Sequence, residues 1–63
     1  MKGQIQIAGE TVEFTNVTKY STAAEAIAFR EGVEYANDSA LTVVGILEHG
    51  GDFMVYMLDE DLL

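Results

Sequence analysis

Residues 41–63 read "LTVVGILEHGGDFMVYMLDEDLL", and the way this stretch pairs with itself decides the fold. Gly50-Gly51 reads as a two-residue hairpin loop, because glycine takes the turn backbone without a steric cost. Such a loop sets His49 opposite Asp52, Leu47 opposite Met54, Gly45 opposite Tyr56 and Val43 opposite Leu58. With side chains alternating at a period of two, one face carries Leu41, Val43, Leu47, Met54, Tyr56 and Leu58. The other carries Val44, Ile46, Phe53, Val55 and Met57. Both faces are apolar, and three acids, Asp59, Glu60 and Asp61, follow the hairpin.

Upstream, "STAAEAIAFREGVEYAND" (residues 21–38) has Thr22 and Glu25 at capping-box spacing and a run of alanines that favours helix. Ala26, Phe29, Val33 and Ala36 recur at helical period, with Ile27 flanking them. The spacing predicts a helix over residues 22–36, closed by the "NDS" turn signal, with Gly32 costing about 1 kcal/mol relative to alanine. Further upstream still, "QIQIAGETVEF" (residues 4–14) alternates apolar Ile5, Ile7, Val12 and Phe14 with polar Gln4, Gln6, Thr11 and Glu13. Gly9-Glu10 is read as the turn of a first hairpin, pairing Ile7 with Val12 and Ile5 with Phe14.

The expected architecture is α+β, in the order β-β-α-β-β: a four-stranded, mainly antiparallel sheet with one helix, forming a single domain over residues 1–63. One helix covers one face of such a sheet. The second face must be partly bare, covered by loop residues such as Val17 and Tyr20, or buried against another copy or a partner. A homodimer through the sheet is the leading expectation.

Size points the same way. A 63-residue chain buries only about 60% of the surface its unfolded form exposes, and its core supplies roughly 3–5 kcal/mol. The sequence contains no cysteine and no His/Cys cluster for a structural metal, so the usual supports of very small domains are missing. Apolar residues make up 49% of the chain and proline is absent, which favours a folded body over an acidic disordered tail. "MKGQIQIAGE" has no continuous apolar run, and no segment approaches the length of a membrane span. A cytoplasmic protein is therefore expected, with no membrane partner.

No chemistry-bearing motif is legible. His49 is the single histidine, and on a pleated ladder Glu48 points away from it, so a metal site is not expected. No cysteine or suitably spaced serine suggests a nucleophile, and the glycines form no phosphate loop. Neither an enzyme nor a cofactor is expected.

The charge is informative. Eleven acids against three bases give a net charge of −8, a field that repels nucleic acid and anionic lipid and attracts basic surfaces. Direct nucleic-acid binding is disfavoured. Glu31, Glu34 and Asp38 fall within about 60° of one another on a helical wheel, while the hairpin register places Thr42 opposite Asp59, Leu41 opposite Glu60 and Ala40 opposite Asp61. Both acidic groups then lie at one end of the molecule. The arrangement opposes the helix macrodipole and adds like-charge repulsion, so the acids either serve a partner or simply keep an apolar-rich protein soluble.

The helix plus hairpin of "AAEAIAFREGVEYANDSALTVVGILEHGGDFMVYMLDED", with its excess of acids, resembles small phage-encoded inhibitors, anti-CRISPR proteins in particular. The resemblance is one of size, charge and element order, without a shared motif. It implies a non-enzymatic inhibitor acting in the cytoplasm of an infected bacterial cell. Its partner would be a basic nucleic-acid-binding protein such as a CRISPR effector complex, blocked from target DNA by acidic mimicry. Glu31, Glu34, Asp38, Asp59, Glu60 and Asp61 are the expected contact residues. The alternative is a small phage or bacterial oligomerisation or assembly module whose acids serve solubility.

Overall fold

The structure, a computed structural model, describes residues 2–36 and 41–62. The chain runs β1 (Gly3–Ile7), β2 (Glu10–Phe14), β3 (Asn16–Tyr20), α1 (Ala23–Tyr35), β4 (Leu41–His49) and β5 (Asp52–Asp59), followed by a 3-10 turn over Glu60–Leu62. The class is α+β, but the expected single four-stranded sheet is replaced by two antiparallel sheets, β1-β2 and β3-β5-β4. The fifth strand is β3, whose "NVTKY" was expected to be loop. Its β-branched and aromatic residues suit a pleated surface, and it pairs along β5 from Asn16 opposite Met57 to Tyr20 opposite Phe53.

The Gly50-Gly51 loop forms as expected, with φ of 61° and 86°. From His49–Asp52 through Leu47–Met54 to Gly45–Tyr56 the register also agrees. Beyond Gly45 it shifts, so that Val43 faces Met57 rather than Leu58. A bulge between Val43 and Gly45 adds one residue to β4, which moves every earlier side chain to the opposite face. Leu41 and Val43 thereby join Ile46, Phe53, Val55 and Met57 on the helix side, where Ala26 and Val55 are fully buried and Met57 nearly so.

The other sheet face is not bare. The first hairpin lies across it: the Phe14 ring meets Tyr56 edge-on at a centroid distance of 5.0 Å, and the Ile7 side chain sits over Gly45, where any Cβ would overlap Ile7 Cδ1. The molecule is thus three layers, with α1 on one side of β3-β5-β4 and β1-β2 on the other. This removes the premise on which a homodimer through the sheet was expected. Tyr20, expected to cover that second face, lies on the helix side, with its ring 5.6 Å from that of Phe29.

The first hairpin also turns one residue earlier than expected. Ala8 and Gly9, at φ of 52° and 83°, occupy the two loop positions, and Ile7 pairs with Glu10, Ile5 with Val12 and Gly3 with Phe14. Two positive φ values define a type I′ turn, one of the two hairpin turns whose twist matches the flanking strands, and Gly9 takes the second of them without a steric cost. The two-residue change in register preserves the face, so Ile5, Ile7, Val12 and Phe14 still lie together.

Thr15 joins the layers. It is 2% exposed, at the step from β2 to β3. Its backbone N–H donates to the Met57 carbonyl at 2.8 Å, and its hydroxyl donates to the same oxygen at 3.4 Å. The Asp59 N–H and the Asn16 side-chain amide in turn donate to that hydroxyl at 2.8 and 3.1 Å. One buried side chain therefore fastens the start of β3 to the end of β5.

Candidate functional site

The acids occupy two elements, each positioned by a local device. Glu31 and Glu34 ride on α1, which starts at Thr22: its Oγ1 accepts the Glu25 N–H at 3.2 Å, and the Thr22 and Ser21 hydroxyls donate to Glu25 Oε1 at 2.9 and 3.2 Å. This is the N-cap half of the box read from Thr22 and Glu25, with the Glu25 carboxylate bonded to the two hydroxyls instead of the Thr22 N–H, and the helix spans Ala23–Tyr35, one residue inside each expected bound. Ala36, expected on the apolar face, is exposed, and its N–H donates to the Gly32 carbonyl at 3.0 Å. No basic residue stands in the last turn, so Glu34 faces the negative end of the dipole uncompensated.

Asp59 ends β5, and its backbone is held by Thr15. Its Oδ1 accepts the Asp61 N–H at 3.0 Å, a local bond of the kind aspartate uses to bend a chain. The three acids consequently do not alternate along a strand, as expected, but follow the bend into the 3-10 turn. The bulge in β4 corrects their pairing as well: Leu41 faces Asp59 and Thr42 faces Leu58, one residue from the expected register. The pairing expected for Ala40 lies outside the described residues, as does Asp38.

Glu34 and the strand acids do share one end of the molecule. Glu34 lines a groove of about 260 Å³ with Val33, Leu41, Thr42 and Val43, and Leu41 is the ladder partner of Asp59. Glu31 sits one turn back and is exposed, as are Glu34, Glu60 and Asp61, while Asp59 is half-buried. Among the described residues the one ion pair is Lys19 Nζ to Asp52 Oδ2 at 4.0 Å, near the double-glycine loop at the opposite end of β5. None of the five acids takes part in it. A solvated acidic surface of this kind can pair with external cations through charge-assisted hydrogen bonds. Among the described residues no three His, Asp or Glu side chains converge in a way that could hold a metal ion.

Sequence reasoning missed two residues that matter here. Thr15 determines where Asp59 lies, and its only sequence signal is a small hydroxyl residue between Phe14 and a strand. Tyr35 is 96% exposed, and its wheel position, opposite Ala26, was available from the sequence. No helix among the described residues is long and apolar enough to cross a membrane. Compared with protein-family models, curated proteins and solved structures, the chain matches none, so its function rests on the site itself.

Proposed function

We propose that this protein is a non-enzymatic inhibitor of the anti-CRISPR kind. It docks by its acidic end on a basic surface that another protein uses to bind nucleic acid. The supporting observation is that Glu34, on the helix, lines the groove at the Leu41 end of β4, where Asp59, the last residue of β5, is the ladder partner of Leu41 and Glu60 and Asp61 follow in the 3-10 turn, without an ion pair to any described cation. Carboxylates so placed pair with the Lys and Arg side chains that otherwise hold phosphates. Glu31 extends the surface along α1. The competing reading is a small oligomerisation or assembly module whose acids serve solubility.

The test is binding of the intact chain to a purified CRISPR effector complex, with and without its target DNA. Acidic docking predicts that DNA competes and that affinity falls steeply between about 50 and 200 mM salt. Charge reversal at Glu34 and Glu60 weakens binding, chiefly through slower association, whereas reversal at Glu10, beside the far turn, does little. Binding that is insensitive to both salt and DNA would rule the proposal out.

A further inference from the structure

The outward side of α1 is not composed like a solvated helix face. At about 100° per residue, Tyr35 lies about 180° from the buried Ala26, with Ala24 and Ala28 about 20° to either side, Glu31 about 40° away, Ile27 about 80° away and Glu34 at the flank, about 100° away. Tyr35 is 96% and Ile27 41% exposed, and they are the two large hydrophobic side chains that stand exposed among the described residues. Ala24, Ala28 and Glu31 are exposed as well. A surface helix ordinarily turns charged residues outward. Here an aromatic ring, an isoleucine and two alanines face water with acids among them, and the helix cation Arg30 lies about 140° from Tyr35.

We infer that this outward face of α1, anchored by Tyr35, is a docking surface for an arginine-bearing protein segment, whose guanidinium lies on the Tyr35 ring while Glu31 and Glu34 pair with neighbouring cations. The inference rests on the basic-surface reading above and adds its contact chemistry. An exposed ring beside carboxylates suits a planar, weakly hydrated guanidinium better than a compact, strongly hydrated ammonium. Charge decides against the other occupants. Two copies docking symmetrically through this face would set Glu31 and Glu34 against like acids on a chain of net charge −8, and nucleic acid or an anionic membrane would meet the same repulsion.

The experiment titrates the intact, isotope-labelled chain with two synthetic peptides of equal length and charge, an Arg-Ser repeat and a Lys-Ser repeat, at low salt. The Arg peptide is expected to bind about fivefold tighter, with amide shifts concentrated in residues 27–35. Tyr35→Ala weakens the Arg peptide about fivefold and erases the difference between peptides, while Tyr35→Phe, which keeps the ring, stays within about twofold. Circular dichroism of both variants confirms that the fold is retained. Equal binding of the two peptides that ignores Tyr35→Ala and shifts only residues 59–61 would overturn this inference and leave the acidic-end reading standing. Binding of neither peptide would overturn both. Concentration-dependent shifts at Ile27 and Tyr35 without peptide would identify a second copy as the occupant and overturn the inference.

Discussion

Replacing Thr15 by valine tests the joint between the layers with almost no change in volume. Three hydrogen bonds end on the Thr15 hydroxyl, and their loss is unequal. The Met57 carbonyl keeps the 2.8 Å bond from the Thr15 N–H, so losing the longer 3.4 Å donation to it costs little. The Asn16 amide can turn toward water. The Asp59 N–H, part-buried, loses an acceptor at 2.8 Å, and an unsatisfied donor in such a place costs roughly 1–3 kcal/mol. A loss of about 2 kcal/mol is expected from a domain whose core supplies roughly 3–5 kcal/mol, a fall in Tm on the order of 10 °C. Thr15→Ser keeps the hydroxyl and gives up one buried methyl, at about 1 kcal/mol. Urea unfolding followed by circular dichroism then ranks the proteins threonine, serine, valine, and hydrogen exchange at the Asp59 amide accelerates in the valine variant beyond its change in global stability. The acidic turn hangs from this bond, so amide shifts in residues 59–61 accompany the change. A valine variant as stable as the parent, or more stable than the serine variant, would refute the assignment.

Other substitutions probe other levels. Gly45→Ala sets a Cβ against Ile7 Cδ1, the far end of a side chain that can turn aside, and is expected to destabilise by about 1 kcal/mol; Ile7→Ala in the same chain relieves part of that, giving a non-additive double-mutant cycle in thermal unfolding. Ala8→Asn puts a residue tolerant of positive φ where alanine sits at 52° and is expected to raise stability by about 0.5–1 kcal/mol, read as a higher urea midpoint. Glu34→Lys removes an acid from the last turn of a helix that has no basic residue there. It is expected to raise stability by about 0.3–1 kcal/mol while weakening salt-sensitive binding to a basic partner, so that Tm and affinity move in opposite directions.

What the sequence determined by itself are the features whose cause is local. The double glycine set the last hairpin and its register as far as Gly45. Thr22 and Glu25 set the start of the helix, and the alternation of Ile5, Ile7, Val12 and Phe14 set which face of the first hairpin is apolar, even though its turn falls at Ala8-Gly9. The net charge of −8 likewise needs no structure. Tertiary contact decided the rest. Whether Val43 or Val44 enters the core depends on one bulged residue, which periodicity cannot place, because both residues are valine and both alternations are apolar. "NVTKY" became a strand because β5 had a free edge to pair with, and nothing inside the five residues requires that. The question of a bare sheet face was settled by the first hairpin folding over Gly45 and Tyr56, a contact between segments more than thirty residues apart. The same long-range joint, through Thr15, determines where Asp59 and the acids after it stand, because a hydrogen bond across 44 residues leaves no periodic trace in the chain.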